Sequence, residues 1–334
     1  MIAPAIGPVI GGILSEYLTW RSIFWFLTIL AVIFLIPFAI FMPETGRNVV
    51  GNGSIPPRGW NMSLLDYFSA RKAKETSGST PSQTDLPPKP KLRFPNPLGT
   101  LKIVTQKDAG LLLFFNSLVY TASYLVIGSA PYLLEQIYGF NDLQIGLCFI
   151  PFGFGGFLAP LTSGRIMDWN YRRVAAKLHF TIDKKRGDDL RNFPLERVRL
   201  MVSVPFLVLG LLALLCYGWV LQVETHLAVP LILQFLIGLL LMACFNAMNV
   251  MLVDYFPTSP STATAANNLV RCLMGAGGTA VINLMIEKMG RGWCFTFVAG
   301  VCAAFSPVLW VLLKWGPGWR EERRVRIEVE KESR

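Results

Sequence analysis

Amide and arginine side chains occur at five positions in residues 246–280, NAMNVMLVDYFPTSPSTATAANNLVRCLMGAGGTA, where apolar helices flank a short polar elbow. They are four amides and one cation: Asn246, Asn249, Asn267, Asn268 and Arg271. A charged side chain inside an apolar span costs about 2.5–3.5 kcal/mol on insertion scales, so it normally faces a partner, a water-filled cavity or a solute. The amides can orient a solute by hydrogen bonding. We interpret this hairpin, whose helices meet at the polar elbow 254–262, as part of the wall of a pathway through a membrane.

A second set of polar side chains lies earlier in the chain. Asn116, Tyr120 and Tyr124 are spaced by four residues, which places them on one face of a helix. This stripe is either a surface that faces a solute or a seam of hydrogen bonds between helices. Arg271 also has two interpretations, namely a structural ion pair with Asp254 or a site for a substrate anion.

The same residue types argue against catalysis and metal binding. The two histidines, His179 and His226, are far apart and lie in loops, and the six cysteines form no C-x-x-C pair. An enzyme at the membrane would need paired histidines or a Ser/His set, which this sequence lacks. We therefore predict no catalytic residue, no metal site and no cofactor. A channel would need a repeated pore element or oligomeric symmetry, which a single chain does not reveal.

The elements that must position these side chains are membrane-spanning helices. Of the 334 residues, 53% are hydrophobic and 16% are charged, whereas soluble domains carry about 25% charged residues. A helix of about 20 apolar residues crosses the hydrocarbon core, and helices satisfy their backbone groups internally. We predict an all-α, polytopic membrane protein with about eight transmembrane helices, at 1–18, 21–42, 109–134, 142–167, 198–222, 227–252, 262–288 and 292–315.

The basic residues indicate the orientation of these helices. Ten Lys and Arg lie in 43–108, ten in 165–199 and seven from Lys314 onward, whereas the alternate loops hold Arg21, Lys288 and Arg291. Because basic loops stay in the cytoplasm, these segments, the elbow and the C-terminus are predicted to be cytoplasmic. The net charge of +10 therefore reflects topology. We predict a lipid bilayer, and no nucleic acid, as a partner.

The chain divides at its most polar stretch. Residues 71–93 are rich in Ser, Thr, Pro and Lys, and are too polar to bury. This stretch separates two predicted helices from the following six. The predicted division is therefore 1–42 as two helices of one bundle, 43–108 as a partly disordered cytoplasmic loop, 109–316 as a six-helix bundle and 317–334 as a cytoplasmic tail.

Several strings of the sequence resemble a known family. MIAPAIGPVIGGIL resembles the fifth-helix signature of drug:proton antiporters in the major facilitator superfamily. WRSIFWFL, PETGRNVVGNGSIPP, NFPLERVRL and LVDYFPTSPSTATAANNLVRCLMGAGGTAVI resemble the fungal branch with quinidine-resistance and dityrosine exporters. A Gly-xxx-Asp pattern followed by basic residues is similar to the second copy of the superfamily's loop motif. The signature falls on Ala3, Gly7, Pro8, Gly11 and Gly12, and the loop motif on Gly164, Asp168, Arg172 and Arg173.

The resemblance implies a twelve-helix fold of two six-helix bundles with solute between them. Counted from the signature, this chain corresponds to helices five to twelve, a partial N-terminal bundle and a complete C-terminal one. The implied function of the intact protein is proton-coupled export of small organic compounds or drugs, with the plasma membrane favoured over the vacuole. The alternative is a truncated fragment that does not transport. Because no acidic residue is predicted at mid-membrane, we expect this chain alone not to perform coupled transport.

The resemblance also implies roles for the polar residues. The solute would contact the following residues from this half: Asn116, Tyr120, Tyr124, Asn246, Asn249, Asn267, Asn268 and Arg271. The signature residues and Asp254 are assigned to gating. Asp168, Arg172 and Arg173 are expected to form a cytoplasmic latch by charge pairing, and the alternative is a solvated basic loop that only sets topology.

Overall fold

The computed structural model describes residues 3–45, 62–68, 71, 98–178, 193–257 and 259–332. The predicted disordered stretch 71–93 and His179 lie outside these residues, except for Arg71. Eleven helices of at least seven residues lie in the described part of the chain. They are α1 (Ala3–Tyr17), α2 (Trp20–Phe41), α3 (Leu98–Val104), α4 (Lys107–Tyr138), α5 (Asp142–Cys148), α6 (Ile150–Lys177), α7 (Leu195–Gln222), α8 (Ala228–Tyr255), α9 (Pro260–Met289), α10 (Arg291–Phe305) and α11 (Pro307–Glu332).

Seven of these stretches are long and apolar enough to cross a membrane, which confirms the all-α, polytopic prediction. Each of the last seven predicted segments overlaps one of these seven observed spans. The observed spans are α2, α4, α5 with α6, α7, α8, α9, and α10 with α11 as far as Arg326. The first predicted segment forms α1, which has 15 residues. At 1.5 Å per residue α1 is about 22 Å long, shorter than a hydrocarbon core of about 30 Å.

Two of the spans are built from two helices each. Phe149 separates α5 from α6, and α5 begins with a capping box in which the side chains of Asn141 and Gln144 each bond the other's backbone N–H. Ser306 separates α10 from α11, which begins at Pro307. Proline suits the first position of a helix, where its missing N–H has no intrahelical partner to lose. The predicted charged tail is helical as far as Glu332, because α11 continues to that residue.

The chain forms two compact units, residues 1–16 with 96–334 and residues 17–95. In the first unit, α4 and α7 to α10 surround a common apolar core that includes Leu112, Phe115, Leu214, Leu241 and Phe295. In the second unit, α2 contains no buried residue. Its exposed aromatic and aliphatic side chains suit a helix that is surrounded by lipid.

Glycines set the closest approach between helices in the first unit. A Cβ atom built on Gly155 of α6 would lie 2.3 Å from the carbonyl oxygen of Phe235 in α8. A Cβ atom built on Gly238 of α8 would lie 2.4 Å from the carbonyl oxygen of Phe152 in α6. Small residues of this kind let two helix backbones approach closely in a membrane. This crossing fixes α8, which carries part of the site described next.

Candidate functional site

Three amides join α4, α8 and α9 inside the bundle. Asn116 Nδ2 donates to Asn267 Oδ1 at 3.0 Å, and Asn267 Nδ2 donates to Asn249 Oδ1 at 2.7 Å. Asn116 and Asn267 are each 1% exposed. Asn116 lies nine residues into α4, about 14 Å along its axis. Of the two interpretations of the α4 stripe, its first member therefore belongs to a seam of hydrogen bonds between helices.

The next turns of α4 and α9 form a more open polar and aromatic surface. The rings of Tyr120 and Tyr124 stack with centroids 4.4 Å apart, and the guanidinium carbon of Arg271 lies 4.7 Å from the Tyr120 ring centroid. Arg271 Nε donates to Asn268 Oδ1 at 3.0 Å. Tyr124 is 38% exposed, Asn268 is exposed and Arg271 is half-buried. We call Tyr120, Tyr124, Asn268 and Arg271 the Arg271 face.

Of the two interpretations of Arg271, the structure does not show the ion pair with Asp254, which pairs with another arginine. Asp254 Oδ2 accepts a hydrogen bond from Arg199 Nε of α7 at 3.1 Å. The physical reason is depth: Asp254 is at the end of α8, whereas Arg271 lies eleven residues into α9, about 17 Å along that helix. Arg199 is near the start of α7 and reaches the same level as Asp254.

Asn246 lies apart from the other predicted solute contacts. Its Nδ2 donates to Ser163 Oγ of α6 at 2.9 Å, so it joins α8 to α6. The eight predicted residues thus form three groups: the amide seam of Asn116, Asn249 and Asn267, the Arg271 face, and Asn246 with Ser163.

Comparison with known proteins assigns the fold that carries these groups. The sequence profile of the Major Facilitator Superfamily matches residues 1–279. The chain belongs to the major facilitator superfamily. It is 40% identical over 334 residues to MFS-type transporter phiD of Fungal sp. (strain ATCC 74256), which covers 100% of this chain and 50% of that protein.

Other fungal members of the superfamily match over most of the chain. MFS-type transporter phiL of the same organism is 40% identical over 326 residues, which is 92% of this chain and 77% of that protein. Citrate exporter 1 of Aspergillus niger is 33% identical over 337 residues, which is 98% of this chain and 62% of that protein. The chain spans about half the length of phiD and a larger share of the other two.

The predicted signature residues lie on α1, which packs against α5. A Cβ atom on Gly12 would lie 2.5 Å from the carbonyl oxygen of Asp142, and one on Gly146 would lie 2.5 Å from that of Pro8. Gly7 and Gly11 have no atom within 4 Å of an added Cβ. Two of the predicted signature residues, Pro8 and Gly12, therefore lie at this close contact, while Gly7 and Gly11 border open space. Ala3 begins α1.

The residues that resemble the superfamily's loop motif lie in the second half of α6. Asp168, Arg172 and Arg173 are exposed, and the Arg173 guanidinium lies over the Trp169 ring at 5.3 Å. None of the ion pairs within 98–178, 193–257 and 259–332 includes Asp168. The predicted latch by charge pairing is therefore not formed among these residues. A role for Gly164 and the motif in gating stays a prediction.

Sequence reasoning missed a cluster of buried ion pairs at one end of the bundle. Arg323 Nη1 of α11 lies 2.6 Å from Asp108 Oδ2 of α4, and Arg320 Nε lies 3.5 Å from Glu196 Oε1 of α7. The two carboxylates are 4% and 1% exposed. Asp254 and Arg199 pair at the same end. The charged tail, treated above as a separate segment, is thus bound to the starts of α4 and α7.

We expect replacement of Asn267 by leucine to destabilise the bundle by about 1–2 kcal/mol. The substitution removes both hydrogen bonds of the seam and leaves Asn116 and Asn249 without their shared partner. Hydrogen bonds between membrane helices contribute about 0.6 kcal/mol on average and up to about 1.7, and an unsatisfied buried amide adds to the cost. Thermal unfolding of the purified protein in detergent measures the loss.

Asn268→Leu is the matched control, because Asn268 is adjacent but exposed. It breaks only the bond to Arg271 and leaves the seam intact. Equal destabilisation by the two substitutions would contradict a specific structural role for the seam.

Proposed function

We propose that this protein exports small organic compounds in exchange for protons, as a multi-pass protein of the plasma membrane. The observation that carries the proposal is the Arg271 face, a polar and aromatic surface partway along two spans of a major facilitator. The fungal relatives are described as MFS-type transporters, and one as a citrate exporter, which supports export of a small organic solute. On this proposal the solute and protons are the partners.

The exposure of the Arg271 face supports a water-filled pathway beside it. Asn268 and Arg271 are not buried within the bundle, although they are the ninth and twelfth residues of α9, a helix of 30 residues. An amide and a guanidinium facing hydrocarbon at that depth would be strongly unfavourable, so they must face water, solute or protein. Tyr120 and Tyr124 add the apolar area that solute-binding pockets combine with a few polar groups.

The distribution of basic residues supports a cytoplasmic C-terminus. Lys and Arg are concentrated in the loops at the end of the bundle where α4, α7 and α9 begin and α11 ends. On this assignment, the ion pairs of Asp108 and Glu196 with α11 lie on the cytoplasmic side. The loop motif around Asp168 lies there too, where a gate would open toward the cytoplasm.

Transport is tested with protein expressed from the complete native message and reconstituted in liposomes. The probes are radiolabelled citrate and ethidium, an anion and a cation. We expect an imposed pH gradient to drive flux of at least one probe, and a protonophore to abolish that flux. Gradient-independent leakage, or no flux of either probe above that of protein-free liposomes, would contradict the proposal.

The 334-residue chain is measured in the same assay. We expect it to show no proton-linked flux when it is the only protein present. The reason is that the acidic side chains Asp108, Glu196 and Asp254 lie within two residues of a helix end. Proton-linked efflux from this chain alone would overturn that expectation.

A further inference from the structure

Within the described part of the chain, Arg271 has no carboxylate partner, whereas four other arginines that bridge helices each have one. Arg199, Arg291, Arg320 and Arg323 pair with Asp254, Glu224, Glu196 and Asp108 respectively. Among the described residues, the hydrogen bonds of Arg271 comprise only the one from Nε to Asn268 Oδ1. Its two terminal nitrogens, with four N–H donors, are therefore available to a ligand.

The orientation of this guanidinium is fixed on two sides. Asn268 holds Nε from the same helix, one turn away, while the Tyr120 ring lies beneath the guanidinium plane at 4.7 Å. Tyr120 is itself held by stacking on Tyr124 and by the Phe245 ring, whose centroid is 5.2 Å away. An arginine held in this way loses little further conformational freedom when it binds, because its fork is pre-organised.

The two unbonded terminal nitrogens of Arg271 favour an anionic ligand. A planar guanidinium fork binds a carboxylate through two parallel charge-assisted hydrogen bonds, which neutral or cationic groups do not reproduce. Burying the positive charge of Arg271 without a counter-charge is costly, and a carboxylate ligand would supply that counter-charge. No acidic side chain of the described residues forms an ion pair with Arg271, so a cationic solute would meet an uncompensated positive charge.

We propose that the Arg271 face binds the carboxylate of a small organic acid and that the apolar body of the acid packs on Tyr124, which is 38% exposed. This inference rests on the proposed function, because it names the solute class of the same site.

The test is direct binding to the purified 334-residue chain in lipid nanodiscs, measured by calorimetry. The probes are 4-phenylbutyrate and its neutral amide, which match in shape and differ in charge. We expect the carboxylate to bind at least tenfold more tightly than the amide, a difference of about 1.4 kcal/mol. Arg271→Gln should remove this preference, and Arg271→Lys should retain part of it, because lysine keeps the charge but not the fork.

Arg326→Gln is the charge-matched control, because Arg326 is exposed on α11 and has no ion pair among those of the described residues. It should leave the preference unchanged. Equal affinity for carboxylate and amide, an equal loss of both in Arg271→Gln, or failure of both probes to bind up to their solubility limit would overturn the proposal. If Arg271→Gln does not fold, Arg271→Lys is used instead. A carboxylate preference in Arg271→Lys equal to that of the unaltered chain would then overturn the proposal.

The binding test and the transport test fail separately. Carboxylate binding that depends on Arg271, without proton-linked flux, would contradict the export function but would support the anion site. Proton-linked flux of ethidium from the complete protein, with no carboxylate preference in binding, would contradict the anion site but would support the export function.

Discussion

Replacement of Gly238 by alanine is expected to destabilise the bundle by about 3 kcal/mol, at the upper end of the cost of overpacking a core. The added Cβ would lie 2.4 Å from the carbonyl oxygen of Phe152 and 3.3 Å from the backbone nitrogen of Gly156. Both are backbone atoms, so no side chain can rotate to make room. The helices α6 and α8 must move apart to accept the methyl group.

Gly155 faces the same crossing from the other helix. Its added Cβ would lie 2.3 Å from the carbonyl oxygen of Phe235 and 2.8 Å from the backbone nitrogen of Leu239. We expect Gly155→Ala to have a similar effect. Since either substitution separates the same two helices, the double variant should lose less than the sum of the two single losses.

Gly156→Ala is the matched control for this crossing. Gly156 is adjacent to Gly155 on α6, but its added Cβ would have no atom within 4 Å. Alanine is favoured over glycine in a helix by about 0.5–1 kcal/mol, so this variant should be as stable as the parent or slightly more stable. Thermal unfolding in detergent measures the stability of the three single variants and of the double variant. Equal melting temperatures for Gly155→Ala and Gly156→Ala would contradict the close crossing.

The same variants connect packing to the site. Asn249 reaches Asn267 from α8, and Asn246 reaches Ser163 from α8 to α6. Moving α8 away from α6 strains at least one of these bonds. Phe245 of the same helix also contacts the Tyr120 ring of the Arg271 face, with centroids 5.2 Å apart. We therefore expect Gly238→Ala to weaken carboxylate binding as well as stability.

The spans could be predicted from the sequence because length and hydropathy suffice to identify a membrane helix. The polar residues of the site were found for a related reason: amides and an arginine are costly inside apolar spans, so their presence indicates a role. The spacing of Asn116, Tyr120 and Tyr124 predicted a common face, and the structure divides that face between the amide seam and the Arg271 face. Their partners are far away in sequence, and spacing along one helix does not identify them.

The ion pair with Asp254, one of the two interpretations of Arg271, shows why proximity in sequence misleads in an antiparallel hairpin. Asp254 and Arg271 are separated by a short elbow, but the second helix carries the arginine away from the elbow with each turn. Residues at equal distances from a hairpin turn share a depth, and these two do not. Arg199, on another helix, meets Asp254 because both are near the same end of the bundle.

The buried ion pairs were missed because each member has an ordinary explanation in sequence. Asp108 and Glu196 lie in the first turns of α4 and α7, where acidic residues commonly complement the helix dipole. Arg320 and Arg323 belong to a basic tail whose charge the orientation rule already explains. Only the path of α11 beside α4 and α7 brings these charges together.

Replacement of Arg323 by alanine is expected to cost about 3–5 kcal/mol of stability, the usual effect of removing one partner of a buried pair. Asp108 is 4% exposed and would remain buried without a counter-charge. Arg323 also lies over the Phe256 ring at 4.5 Å and the Tyr255 ring at 5.2 Å, so the end of α8 loses a cation–π contact. Thermal unfolding in detergent measures the loss.

Arg326→Ala is the control on the same helix, since Arg326 is exposed and its removal should change stability by less than about 0.5 kcal/mol. A double variant separates lost charge pairing from lost packing. Because a buried ion pair can be replaced by apolar residues at little cost, Asp108→Leu with Arg323→Met should recover most of the stability that Arg323→Ala loses. If the double variant is as unstable as Arg323→Ala, the contribution of Arg323 lies in its contacts with α8, and the uncompensated carboxylate is not the cause of the loss.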